Sequence, residues 1–189
     1  MGRQFAKIAF TPLVKKQQVL HGSRRQYQRI EEAGEPGTRL GGDEREFIEA
    51  RDGFYMASVS ETGWPYIQFR GGPKGFLHVL DDQTLGFADL RGNKQYISVG
   101  NLKHDDRVAL FLIDYVGQQR LKILGRTKIL EGNQEAQELI AKLRTSERNI
   151  SPERAITICV EAFDWNCPQH ITPRFTEQEV RDLLEMRNT

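Results

Sequence analysis

The densest group of residues able to do chemistry is Phe87-Ala88-Asp89-Leu90-Arg91-Gly92-Asn93-Lys94-Gln95. A strand-like run ends there, turns at Gly92 and opens onto a helical pattern within a few residues. The first N–H groups of a helix lack intrahelical partners and carry partial positive charge, so a helix start attracts anions. Arg91, Asn93 and Lys94 add donors at the same end, and a phosphate could be held there without further machinery. The same residues also fit a solvated turn in which Asn93 is the N-cap. A second group is Arg70-Gly71-Gly72-Pro73. Arginine suits bidentate recognition of phosphate, and two glycines let the backbone approach a flat ligand closely. A strand end broken by Gly-Gly-Pro with a solvated arginine is the plainer alternative. The third group, Asp164-Trp165-Asn166-Cys167-Pro168-Gln169-His170-Ile171-Thr172-Pro173-Arg174, brings together an indole, a thiol, an imidazole and a guanidinium. Cys167 with His170 has the types of a nucleophile and its base. Nothing supplies an orienting third member, and two ligands do not make a metal site.

These groups need elements to position them. A helix is expected near Val14–Ala33, then a loop carrying Pro36, then a short helix over Glu44–Arg51 capped by Asp43 with Glu46 three residues on. This arm resembles a docking or dimer-wrapping segment. From Gly53 the periodicity changes to that of strands: Phe54–Ser60 and Tyr66–Arg70 as a hairpin, then Phe76–Leu80 and Thr84–Ala88. A helix is predicted over Asn93–Leu102. Val108–Ile113 is the most apolar run and pairs with Arg120–Leu130. Asn133–Arg144 carries a helical stripe of Ala136, Leu139, Ile140 and Leu143, Ala155–Phe163 is a further strand, and Glu177–Met186 a terminal helix. The fold class is mainly β with flanking helices: about six antiparallel strands in meander order, closed or partly closed as a barrel. The expected division is an N-terminal helical arm (1–42), a barrel domain (43–176) and a C-terminal helix (177–189).

The chain has 189 residues, enough for one sizeable core. Its formal net charge of +1 argues against a general nucleic-acid or anionic-membrane binder, so an anion site must be local. No stretch approaches membrane-spanning length, and the start lacks the apolar run of a signal peptide. Cys159 and Cys167 match no zinc spacing and read as reduced thiols. The expected location is the cytoplasm.

The three groups, in this order, resemble the pyridoxamine 5'-phosphate oxidase-like flavin-binding proteins, in the branch of predicted flavin-nucleotide-binding proteins. The residues that carry the resemblance are Ala57–Tyr66, with its strand–Gly-x-Pro–strand opening, Arg70-Gly71-Gly72-Pro73, Leu85–Lys94 and the closing Phe163–Ile171. It covers roughly Gly53 to Arg174. It implies a split β-barrel homodimer with flavin mononucleotide (FMN) at the subunit interface. Arg70 would bind the FMN phosphate, and Gly71 and Gly72 would line the isoalloxazine. After Phe87, the family's Tyr-Thr step falls on Ala88 and Asp89. Its Ser-Arg-Lys phosphate triplet falls on Asn93-Lys94-Gln95, which keeps one basic residue, so Arg91 would help the grip. Arg120 would reach the flavin from the partner subunit, and Trp165 and Arg174 correspond to the family's late Trp and Arg. The Arg-x-His substrate pattern of the oxidases is absent from Arg174–Thr189, which argues against pyridoxamine 5'-phosphate as the substrate.

The resemblance implies an FMN-dependent oxidoreductase acting on a small molecule. A flavin carrier or sensor without turnover is the alternative from another class. A third reading keeps the barrel and exchanges FMN for a deazaflavin or for haem, with His170 as the haem ligand.

Overall fold

The computed structural model describes residues 1–143, 151–166 and 169–186. The strands are β1 (Gly53–Val59), β2 (Pro65–Gly71), β3 (His78–Val79), β4 (Thr84–Leu90), β5 (Arg107–Asp114), β6 (Gln119–Leu130) and β7 (Pro152–Trp165). They form one antiparallel sheet of seven strands in the order β2-β1-β5-β6-β7-β4-β3. Alternation decides which face is buried. Phe54, Met56 and Ser58 of β1 point inward, as do Leu110 and Leu112 of β5 and Leu121 and Ile123 of β6, all nearly solvent-free.

The sheet curls until its two ends meet without pairing. Phe54 of β1 stacks on Phe76 at 5.7 Å and meets Phe87 of β4 edge-on at 5.5 Å. Arg70 near the end of β2 reaches Asp89 of β4. This is a split barrel: its core is continuous, and the seam between β2 and β4 is crossed by side chains instead of a ladder. Curling is helped by a register shift between Leu124 and Gly125 in the β6–β7 pair, where Ala162 faces Leu124 but Val160 faces Gly125. The extra residue bends the long strands. A Cβ on Gly125 would lie 2.6 Å from the Cys159 carbonyl oxygen, which is main chain and has little freedom to retreat. Gly125→Val is therefore expected to destabilise the fold by about 2–4 kcal/mol, read as a lower denaturant midpoint at unchanged slope.

The helices are α1 (Arg3–Ala9), α2 (Pro12–Leu20), α3 (Arg24–Ala33), α4 (Gly42–Glu49), α5 (Ile97–His104), α6 (Gln134–Leu143) and α7 (Glu177–Met186). The single helix expected over Val14–Ala33 is two helices. Gly22 (φ +74°) closes α2: Ser23 N–H donates to Gln18 O at 2.8 Å and Gly22 N–H to Val19 O at 3.1 Å. That pairing is a Schellman motif, which ends a helix at a left-handed glycine. The expected Asp43–Glu46 capping box is displaced by two residues: Gly41 is the N-cap, and its N–H donates to the Glu44 carboxylate at 2.9 Å. The α4 side chains Phe47 and Ile48 plug one mouth of the barrel. The segment before α4 is fastened to β7, where Phe163 N–H donates to Gly37 O and the buried Asp164 carboxylate pairs with Lys122 at 2.9 Å. The stripe predicted on α6 is as expected, with Ala136 and Leu143 buried over Ala155 and Leu130. Among the described residues no helix is long and apolar enough to cross a membrane.

Candidate functional site

Where β2 and β4 run out side by side, the seam opens into two adjoining cavities of about 220 and 190 Å3. Arg70, Asp89, Leu90 and Gly92 line both, so they are two ends of one cleft. Ligand pockets generally occupy about 300–1,000 Å3; neither end reaches that alone, and the joined cleft does.

The two ends differ in chemistry. The first is the more apolar of the two, built from Phe69, Gly71, Gly72, Pro73, Phe76, Phe87, Ala88, Leu143 and Pro152 beside Arg70, Asp89 and Arg91. Gly72 lacks a side chain for a local reason: a Cβ there would lie 2.5 Å from Cγ of Phe76, whose ring covers it. The second end is polar, lined by Gln68, Asn93, Lys94, Gln95, Tyr96, Ser98 and Arg154.

The start of α5 stands in that polar end. The predicted helix over Asn93–Leu102 begins four residues later, at Ile97, because Lys94 (φ 61°) and Tyr96 (φ 54°) take left-handed conformations that a helix cannot continue. Asn93 does not cap the helix. Its side chain accepts from Gln95 N–H at 3.1 Å, an Asx-turn that shapes the loop. The N-cap of α5 is Tyr96, and no side chain caps the helix there. Ile97, Ser98 and Val99 of its first turn line the cleft together with Lys94, and Ser98 Oγ donates to Gln68 Oε1 at 2.7 Å. Free helix N–H groups, a lysine and an arginine at one end make an anion cradle.

Arg70 stands at the junction. Its Nη1 donates to Asp89 Oδ1 at 2.5 Å, and its buried Nε has no hydrogen-bond partner. Asp89 also accepts from Arg154 Nη1 at 3.2 Å; Arg154 in turn donates to Glu153 at 2.8 Å and lies 3.3 Å from Glu131. Burial pushes the Asp89 carboxyl above its ordinary value. Arg70 and Arg154 pull it down and Glu153 pushes it up, and the net direction is upward. Lost hydration outweighs two cationic neighbours.

Of the residues singled out from sequence, Arg70, Gly71, Gly72, Phe87, Ala88, Asp89, Arg91, Asn93, Lys94 and Gln95 line this cleft. Arg91 is more than half exposed, with Nε 3.9 Å from Glu153. Arg120, Trp165 and Arg174 are not among the lining residues of their own chain's cleft. Trp165 Nε1 donates to Glu44 at 2.7 Å and its ring meets Phe47 edge-on. The Arg174 guanidinium lies over Tyr115 at 4.9 Å. Arg120 pairs with Ile113 in the β5–β6 hairpin, and its carbonyl accepts from Asn166 N–H. His170 is exposed, and Cys167 lies outside the described residues. Sequence reasoning missed Arg154, Gln68 and Ser98. Arg154 lies near the start of β7, next to Glu153 and just ahead of the strand predicted over Ala155–Phe163, and no local pattern marks it as buried.

The family model for pyridoxamine 5'-phosphate oxidase matches residues 42–165. Among solved structures, HupZ of Group A Streptococcus is similar over 72% of this chain and 99% of its own, with 15% identity and a TM-score of 0.55. A candidate pyridoxamine 5'-phosphate oxidase of Lactobacillus delbrueckii is similar over 67% of this chain and 94% of its own, with 20% identity and a TM-score of 0.52. At these identities the likenesses speak for the fold. No curated protein matches the chain's sequence. The matched segment runs from the first turn of α4 to the last residue of β7 and so contains every strand and the whole junction around Arg70: the chain belongs to the pyridoxamine 5'-phosphate oxidase family.

Proposed function

We propose that the chain is an FMN-binding flavoprotein whose cleft holds the phosphate at its polar end and the isoalloxazine at its apolar end. The observation that carries this reading is Arg70 at the junction of the two cavities, with a buried Nε lacking a partner. Lys94, Asn93 and the uncapped start of α5 would complete the phosphate site. Phe76, Phe87 and the main chain at Gly71 and Ala88 would bound the ring. The donor set fits a phosphate ester joined to a planar apolar group, the chemistry of FMN. When bound, FMN supplies hydride or electron transfer, and the protein's part is to hold the ring and exclude water on the Phe87 side. No histidine or cysteine lines the cleft among the described residues. We assign the protein to FMN-dependent oxidoreductases of a small molecule, with the flavin carrying the redox chemistry.

The cleft opens to solvent, and we propose that a second copy of the chain supplies a further wall. The outer face of β1 and β2 leaves Val59, Trp64, Ile67 and Phe69 between 39% and 74% exposed. A contiguous apolar patch on a soluble domain marks an interface, and β2 is an edge strand that needs covering. Arg120 is the residue we assign to the partner's flavin. The reading is tested by desalting the purified protein before and after incubation with FMN. Retained flavin bands at a stoichiometry of about one per chain are expected, and a preparation that retains none in either case refutes it.

A further inference from the structure

The cluster around Asp89 does more than hold a phosphate-binding arginine in place. Its carboxylate occupies Nη1 of Arg70 at 2.5 Å and so holds part of the guanidinium on which the proposed phosphate site depends. Its charged neighbours are Arg70 from β2 and Arg154 and Glu153 from β7, while Arg91, Lys94 and Tyr96, on the loop that leads into α5, line the same cleft, with Arg91 near Glu153. Glu131, at the end of β6, reaches it through Arg154 at 3.3 Å. Tyr96 closes the group, its hydroxyl 3.3 Å from Glu153 and its ring 5.3 Å from the Arg154 guanidinium. Two of the carboxylates, Glu153 and Glu131, already engage Arg154. Arg70 pairs with Asp89 and otherwise lies over the Phe87 ring, 5.9 Å from its centroid.

We propose that Asp89 is a built-in competitor for Arg70: a ligand's phosphate displaces the carboxylate from Nη1, and the displaced carboxylate takes up a proton from solvent. The proposal rests on the reading of the polar end as a phosphate site. Its physical basis is charge. A phosphate dianion beside Arg70 sets a second anion next to a carboxylate that is already desolvated and already faces Glu153. Two anions in contact at low dielectric are tolerated only if one is neutralised, and Arg154 is shared with Glu153 and Glu131. Protonation of Asp89 removes the repulsion and lets its O–H donate to a phosphate oxygen. The sign follows. Asp89 binds its proton more tightly in the complex than in the free protein, so affinity is greatest at low pH and falls as pH rises from the free-protein value to the value in the complex. The slope approaches tenfold per pH unit within that window. Asp89 thereby discriminates in favour of phosphate-bearing ligands that can displace it and against weaker anions.

The test is calorimetric titration of the full chain with FMN in buffers of different ionisation enthalpy. It is run above about pH 7.5, where the FMN phosphate is fully ionised because its second pKa is about 6. Uptake approaching one proton per FMN is expected for the native chain. Asp89→Asn should remove the uptake and tighten FMN about tenfold or more at the alkaline end, while leaving riboflavin, which lacks the phosphate, unaffected. The proton count on the native chain needs no variant: FMN binding with no uptake overturns the proposal and leaves the phosphate site standing. Weaker FMN binding by the Asn variant, or an equal gain for riboflavin, also overturns it. Failure of the native chain to bind FMN at all overturns the phosphate site together with this proposal.

Discussion

Replacing Arg70 with alanine is expected to weaken FMN binding by about a hundredfold or more, since truncating one partner of a buried charge pair costs about 2–5 kcal/mol. The expectation follows from the position of the guanidinium, not from its charge alone. Arg70 lies on β2 opposite Phe54, with its Nε buried and its Nη1 on Asp89, so its head group is fixed between the two ends of the cleft. Lysine cannot reproduce a planar fork that serves Asp89 and a phosphate together, so Arg70→Lys should recover only a small part of the loss. The substitution also leaves Asp89 with Arg154 as its one neighbouring cation, which Glu153 and Glu131 share, so a less screened carboxylate faces the incoming phosphate. Lys94→Ala is expected to cost less, because Lys94 sits on an exposed loop and charges in water are screened. An Arg70→Ala protein that folds and retains FMN with native affinity would place the phosphate elsewhere.

The second large effect concerns the outer face of β1 and β2. Ile67 is 62% exposed between Phe69 and Trp64, and Ile67→Glu sets a charge at the centre of the apolar patch. If a second copy covers this face, burying an unpaired carboxylate there is prohibitive. Central interface positions commonly carry about 2–4 kcal/mol each. The variant is expected to sediment as a monomer at concentrations where the native chain is a dimer. FMN affinity should fall with dimerisation, because the cleft loses the wall that includes the partner's Arg120. Stability of the single chain should change little, since the residue already faces water within it. An Ile67→Glu protein that remains a dimer would move the interface off this face.

How much of this was legible in the sequence depends on how local the signal was. The strands showed through because β1, β5 and β6 alternate, and Val108–Ile113 could only be a buried strand. The phosphate end showed because its residues are contiguous: a strand, a glycine turn and a basic loop before a helix. The helix start was misjudged by four residues, because the left-handed backbone at Lys94 and Tyr96 is not written in side chains that favour it. The break at Gly22 was readable and outweighed by the helical composition on both sides. Arg154 and the Arg70–Asp89 contact were not readable at all. They join β2, β4 and β7, and nothing in a linear pattern says which strand ends meet when a sheet closes on itself. For the same reason Trp165 and Arg174 were grouped with the cleft on resemblance, whereas within the chain they pack on Phe47 and Tyr115.

The central claim is that this cleft grips a flavin by its phosphate. The measurement that tests it most directly is a pair of equilibrium titrations, native chain with FMN and native chain with riboflavin, followed by flavin fluorescence under identical conditions. A charge-assisted phosphate site predicts that FMN binds tighter than riboflavin by about a hundredfold or more, and that the difference shrinks to near nothing in the Arg70→Ala protein. Equal affinity for the two flavins in the native chain would contradict the account.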